Sequence, residues 1–265
     1  MGPSTEISKY TIVIIQSLKD GDLKTGEMLY DKLSASLPTK YPDTSVKLFD
    51  VKDKLDLAVI FHGICSGIAD GELITLQIEA HGCEEGVDLA SGELVTWKDF
   101  FGMIRPINEK MLNLLLVCMS MCYGGAMITE FEPEKRAPYR AFIGTGRAIR
   151  AGTLLDGFSA FYENYHNLRD VFSAYEAMKK AAIDSATGEC PFWFMSSEDV
   201  FKKTLDPDRD PDSFRHIVNE QYVRQKVEGK DVSWNQVEAK VREILIETHK
   251  RYFEHYTFRD ILKKI

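Results

Sequence analysis

Three features are missing from this sequence, and each absence excludes a class of protein. There is no run of about 18 apolar residues, so we expect no membrane-spanning helix. The formal charge is -8, from 33 basic and 41 acidic residues, which lacks the positive surface that nucleic acid binding requires. The cysteines form no C-x-x-C pair, and Cys118 and Cys122 lie in an apolar run rather than a metal-binding knuckle. We therefore expect no nucleic-acid partner, no membrane span and no metal.

The N-terminal residues and the cysteine count favour a cytoplasmic location. The sequence MGPSTEISK lacks the apolar stretch of a secretion signal. An odd total of five cysteines suits free thiols in a reducing compartment. Since 44% of the residues are hydrophobic, the chain can also bury an ordinary globular core.

Short apolar runs alternate with helical patterns along most of the chain. Strands are predicted at 10–15, 45–51, 73–80, 111–121, 139–144 and 191–196. Helices are predicted at 24–37, 57–68, 96–104 and 153–183, and we expect Pro106 to interrupt the third of these patterns. This alternation predicts an α/β fold, a mostly parallel sheet of about six strands flanked by helices on both faces.

The C-terminal part has a different pattern. The charged, proline-containing sequence DPDRDP occupies 206–211, and two helical stretches follow it. Ser233 and Gln236 form a predicted capping box at the start of the second stretch. We therefore divide the chain into an α/β domain, 8–205, and a helical C-terminal extension, 206–265.

Two glycine-containing turns follow predicted strands. His81-Gly82 ends one strand, and Cys122-Tyr123-Gly124-Gly125 ends another. The carboxyl ends of parallel strands meet at one edge of a sheet, where ligands bind. A thiol attacks a carbonyl only as thiolate, so it needs a nearby imidazole to accept its proton. These residues predict Cys122 as nucleophile and His81 as base, with the backbone N–H groups of Gly82 and Cys122 as oxyanion donors.

The two segments LITLQIEAHG (73–82) and LLLVCMSMCYGGAM (114–127), with 41 positions between His81 and Cys122, resemble a known family. The chain resembles the caspase-like cysteine peptidases, which include caspases, metacaspases, legumains, gingipains, separases and bacterial CHAT-type proteases. This resemblance implies a caspase-like sheet, a Cys–His dyad, a protein substrate and no cofactor. The ending CYGGAM looks closer to the legumain and CHAT style than to that of caspases.

The specificity of such a peptidase is less defined by the sequence. Caspases and legumains carry Gln or Glu two residues before the nucleophile, whereas this chain has Ser120. An Asp or Asn preference is therefore not implied. By the same resemblance, the strand end from Thr145 to Arg150 would border the specificity pocket, so Ser120 and Thr145 are candidate pocket residues.

Other residues provide alternatives to this assignment. Cys118 is a rival nucleophile, but no glycine follows it, and burial in the core is its simpler role. His62 also precedes a glycine but belongs to a helical pattern. The acidic residues around His81 are expected either to orient its imidazole, to attract basic substrate residues or to form a solvated loop; they are Glu79, Glu84, Glu85 and Asp88.

Three functions remain open at this point. The first is a cysteine endopeptidase that cleaves a protein substrate, with a regulatory protein as a further partner. The second is a catalytically silent scaffold that acts as a protein-binding module. The third is a flavodoxin-like nucleotide binder, for which Gly144-Thr145-Gly146 is a weak signal because no P-loop lysine follows.

Overall fold

The computed structural model describes residues 8–168, 170–184 and 187–263, which fold into two compact units. The first unit contains the chain through Glu130 together with Pro138–Met195. The second contains Phe131–Ala137 and the residues from Ser196 onward. No helix in the described part of the chain combines the length and apolar character needed to cross a membrane.

The first unit is built on a mostly parallel sheet, which confirms the predicted α/β class. Six strands lie side by side in the order β2-β1-β3-β6-β7-β8, and β4 and β5 form an antiparallel hairpin that extends from β3. The strands are β1 (Lys9–Ser17), β2 (Thr44–Asp50), β3 (Glu72–Gly82), β4 (Gly86–Asp88), β5 (Leu94–Thr96), β6 (Leu116–Ser120), β7 (Ala141–Thr145) and β8 (Phe192–Ser196). The pairs β1–β2, β1–β3, β3–β6 and β6–β7 are all parallel.

Helices cover both faces of this sheet. They are α1 (Thr25–Lys40), α2 (Lys54–Gly67), α3 (Trp97–Lys110), α4 (Ala151–Leu168) and α5 (Val171–Ala181). On one face, residues of α1, α4 and α5 share a buried cluster with Ile12, Ile14, Cys118 and Ile143 of the sheet. On the other face, α2 lies over β1, β2 and β3. The first of these is the α1/α4 face of the sheet, and the second is the α2 face.

Two boundaries predicted from the sequence are wrong. Helix α3 continues through Pro106 to Lys110, because the residues on either side, Ile104 and Ile107, are fully buried and their packing offsets the missing hydrogen bond. Strand β6 begins at Leu116 rather than at 111, because Leu112 and Asn113 have positive φ and form a turn. That turn is held by a side-chain hydrogen bond between Asn108 and Asn113.

The second unit is helical, as predicted for the C-terminus. It consists of α6 (Ser197–Leu205), α7 (Pro211–Val227), α8 (Trp234–Tyr256) and α9 (Arg259–Leu262). The predicted capping box is confirmed, because the Ser233 side chain accepts from the Gln236 N–H and the Gln236 side chain accepts from the Ser233 N–H. Helix α6 was not predicted, although Ser196 caps it by accepting from the Asp199 N–H.

Candidate active site

His81 lies at the carboxyl end of β3, with about half of its side chain (52%) exposed. Its Nε2 atom is 2.9 Å from Oδ2 of Asp22, a residue in the loop between β1 and α1. The hydrogen bond from His81, followed by one from the Lys19 N–H, lowers the pKa of Asp22 below its ordinary value. Asp22 is thus an anionic partner for the imidazole.

Cys122 lies in the turn that follows β6, and its side chain is half-buried. The N–H of Ile149 donates to its sulfur at 3.4 Å, and the sulfur is 3.7 Å from the Ile149 carbonyl oxygen. Tyr123, with φ of 56°, then turns the chain into a short 3-10 helix, Gly124–Thr129. The thiol therefore sits between the end of β6 and the loop that leads from β7 to α4.

The pairing of β3 with β6 brings these two positions to neighbouring strand ends. Glu79 is directly opposite Ser120 in the parallel register, and His81 and Cys122 each follow two residues later. The Glu79 side chain binds Thr25 of α1, so His81, two residues further, is expected on the same α1/α4 face. Cys122 contacts Ile149, which packs against the buried cluster of that face. Both side chains therefore belong to one face of one sheet edge.

The backbones at these positions approach very closely, which explains the glycine after the histidine. A Cβ atom on Gly82 would lie 2.4 Å from the Cys122 carbonyl oxygen and 2.9 Å from the Met121 sulfur. No larger residue fits without a shift of the backbone. Gly144 has a similar role, since its Cβ would be 2.8 Å from the Gly125 nitrogen.

Neither of the two predicted oxyanion donors uses its N–H group in the β3–β4 hairpin. The Cys83 N–H donates to Gly86 across the β3–β4 pair, so the adjacent pair, Gly82 and Val87, is a non-hydrogen-bonded pair. The Gly82 N–H therefore points away from the hairpin. In the described part of the chain, the Cys122 N–H has no backbone acceptor.

His81 and Cys122 are not hydrogen-bonded to each other within the described residues; each has another partner. The sequence did not identify Asp22, because this contact spans 59 positions. The signal that could have found it is the loop sequence KDGDLK, residues 19–24, directly after a strand that ends at the same sheet edge. None of the four acidic residues singled out from the sequence makes the contact that Asp22 makes.

Ser120 and Thr145, the candidate pocket residues, are both buried. The Thr145 hydroxyl is 2.8 Å from the Met121 carbonyl oxygen and 3.1 Å from that of Arg147, so it holds the turn after β6 to the loop after β7. The Ser120 hydroxyl is buried and has no hydrogen-bond partner among the described residues. A role for either side chain in substrate recognition stays a prediction.

Glu79 is a buried carboxyl group beneath the site. It accepts hydrogen bonds from the Thr25 hydroxyl at 2.6 Å and from the Gln77 amide at 2.7 Å. Burial raises the pKa of Glu79 to about 7, although these hydrogen bonds oppose the shift. Glu79 therefore belongs to the internal support of the site rather than to its surface.

The surroundings of Cys118 and His62, the alternatives to Cys122 and His81, suit a structural role. Cys118 is fully buried, and burial raises the pKa of its thiol to about 12. His62 is exposed on α2, within a helix as predicted. Across residues 8–168, 170–184 and 187–263, no three His, Cys, Asp or Glu side chains are grouped so that they could hold a metal ion.

No model of a known protein family matches the chain, and a search of curated proteins also gives no match. The functional proposal therefore rests on the geometry of the site and on the resemblance of its two sequence segments.

Proposed function

We propose that this protein is a cysteine endopeptidase of the caspase-like kind, with Cys122 as nucleophile and His81 as base. The observation that carries the proposal is the β3–β6 register, which gives His81 and Cys122 equivalent positions at neighbouring strand ends. Neighbouring strands are about 5 Å apart, so we expect rotation of either side chain to bring the imidazole towards the sulfur. Catalytic hydrogen bonds are often incomplete before substrate binds.

The proposed reaction has two stages. His81 removes the Cys122 proton, the thiolate forms a bond to the peptide carbonyl carbon, and the resulting oxyanion accepts hydrogen bonds from Gly82 and Cys122 N–H groups. The C–N bond then breaks as His81 gives its proton to the leaving amine. Water attacks the thioester, with His81 as base again, and releases the carboxylic acid and the free thiol.

The surroundings of the dyad support this chemistry. Gly82 and Gly125 allow close packing around the site, because a Cβ atom would lie 2.4 Å from the Cys122 carbonyl oxygen at Gly82 and 2.9 Å from the Trp193 ring at Gly125. The Cys122 thiol is free, as are the other four cysteines, which supports our proposal of a reducing, cytoplasmic setting.

One observation favours the second candidate, a catalytically silent scaffold that binds other proteins. His81 is hydrogen-bonded to Asp22 and Cys122 to Ile149, and within the described residues no hydrogen bond joins the two side chains. If these partners are permanent, the thiol has no base. The two candidates therefore differ in the reactivity of Cys122.

Alkylation of the folded protein with iodoacetamide at neutral pH, with the labelled cysteines mapped by mass spectrometry, distinguishes them. The peptidase proposal predicts rapid labelling of Cys122 that falls about a hundredfold in His81→Ala, since a general base contributes about that factor or more. His62→Ala, which removes an exposed imidazole from α2, is the matched control and should label like the unchanged protein. Slow labelling that is equal in all three proteins would instead support the silent scaffold.

A further inference from the structure

The loop between β1 and α1 holds the Asp22 carboxylate in a defined place. The Lys19 N–H donates to Asp22 Oδ2 at 2.8 Å, and the Asp22 N–H donates back to the Lys19 carbonyl at 3.1 Å. The Lys24 ammonium bridges the same loop by donating to the carbonyl oxygens of Leu18 and Lys19, at 2.7 and 3.0 Å. The carboxylate is therefore positioned by its own turn before it contacts His81.

The contact with Asp22 uses only one of the two ring nitrogens of His81. Nε2 lies 2.9 Å from Asp22 Oδ2, and Nδ1 has no hydrogen-bond partner within the described part of the chain. An ionised carboxylate can accept a hydrogen bond but cannot donate one. A neutral His81 that is hydrogen-bonded to Asp22 must therefore carry its proton on Nε2. Nδ1 is then the basic nitrogen, free to accept a proton from a thiol.

The other charged groups near His81 do not replace this contact. Asp88 pairs with His81 through the backbone of the β3–β4 hairpin, but its side chain makes no hydrogen bond to the imidazole among the described residues. Glu79, on the same strand, is buried and occupied by Thr25 and Gln77. Lys24 is bound to the backbone carbonyl oxygens of Leu18 and Lys19 in the Asp22 loop.

An exposed ion pair of this kind contributes little to stability. The side chains of His81 and Asp22 are 52% and 30% exposed, so solvent screens the interaction between them. The orientation and tautomer of the imidazole depend on a different quantity, the free-energy difference between alternative arrangements of the ring within the folded protein, of which only one directs an Nε2–H group to the Asp22 carboxylate.

We propose that Asp22 is the positioning residue of the site, which fixes the His81 ring with Nε2 protonated and Nδ1 available to Cys122. This role rests on the proposed peptidase function. Asp22 does not contact the reacting atoms; it acts through His81, in the way that the third member of a catalytic triad orients the base and stabilises the imidazolium.

Two measurements on Asp22→Ala test the proposal, with Asp20→Ala as the matched control. Asp20 is an exposed carboxylate in the same loop, and no ion pair connects it to His81 within the described residues. The first measurement is nitrogen-15 NMR of the histidine rings at a pH where the imidazoles are neutral. It should show that His81 carries its proton on Nε2 in the unchanged protein and in Asp20→Ala. In Asp22→Ala we expect a mixture of tautomers. The rate of Cys122 alkylation should fall about tenfold in Asp22→Ala and stay unchanged in Asp20→Ala.

The outcomes separate this proposal from the peptidase function itself. An unchanged His81 tautomer in Asp22→Ala would overturn the role of Asp22, whether or not Cys122 is reactive. Slow Cys122 alkylation in the unchanged protein, with the expected tautomer change in Asp22→Ala, would overturn the peptidase function while the contact between Asp22 and His81 stands.

Discussion

Replacement of Glu79 by glutamine should remove a pH dependence of stability that this single buried group causes. Burial raises the pKa of Glu79 from 4.5 to about 7. Since one pKa unit corresponds to 1.36 kcal/mol, the group lowers the free energy of unfolding by up to about 3 kcal/mol between these two pH values. Glutamine has the same shape and no charge. Its oxygen can accept from Gln77, and its NH₂ group can donate to the Thr25 hydroxyl.

The sign of the effect follows from proton binding. Between pH 4.5 and 7 the folded protein keeps the Glu79 proton while the unfolded chain releases it, so the folded state binds more protons. The contribution is therefore fully present below about pH 4.5 and is lost as the pH rises to about 7. Above that pH, the glutamine variant should be the more stable protein.

The assay is urea unfolding of both proteins at several pH values from 5 to 8. Glu72→Gln is the matched control: although burial alone would raise the pKa of Glu72, hydrogen bonds from Thr11 and Lys9 hold it below its ordinary value. Glu72 changes the free energy of unfolding with pH mainly below pH 5. Between pH 5 and 8, the Glu72→Gln protein should therefore show the same slope of unfolding free energy against pH as the unchanged protein. A Glu79→Gln protein with the same slope from pH 5 to 8 would refute the reasoning.

Three further predictions address other parts of the structure. Cys118 should resist iodoacetamide in the folded protein and react only after unfolding, because burial raises the pKa of its thiol to about 12; labelling at the rate of an exposed thiol would contradict this. Gly146→Ala should displace the Trp193 indole, because the added Cβ would lie 2.3 Å from two ring carbons. Tryptophan fluorescence should change, and the free energy of unfolding should fall by about 1–3 kcal/mol. The control Gly152→Ala, which has open space around its Cβ, should leave the fluorescence unchanged. Ser233→Ala should destabilise α8 by about 1 kcal/mol in urea unfolding, since the capping box is lost, and no change would mean that solvent replaces the cap.

The sheet was predictable because its strands are buried. Strands β1, β6 and β7 have runs of buried, mostly apolar residues, and β3 places apolar residues between the buried polar residues Thr75, Gln77 and Glu79. Local propensity and burial indicate the same structure in these segments.

The errors arose where tertiary packing outweighs local signals. Pro106 remains inside α3 because that helix buries an apolar face on both sides of the proline. The apolar residues from 111 to 115 resemble strand, but Leu112 and Asn113 adopt positive φ, which no pattern of apolar residues reveals.

Half of the candidate site was also accessible from the sequence. Strand ends followed by glycine pointed to His81 and Cys122, and their equivalent register positions agree with that expectation. Asp22 was not accessible, because its contact with His81 depends on the β1–β3 pairing and on the shape of a loop 59 positions earlier. The separate partners of His81 and Cys122 likewise follow from side-chain orientations that a single sequence does not specify.

Peptide hydrolysis tests the central claim most directly, that His81 and Cys122 act together as a catalytic pair. Fluorogenic peptides that vary through all residue types before the scissile bond should be offered to the unchanged protein, Cys122→Ala, His81→Ala and the control His62→Ala. We expect turnover of at least one peptide by the unchanged protein and by His62→Ala, and none by the two dyad variants. Equal behaviour of all four proteins, including no turnover by any of them, would contradict the account.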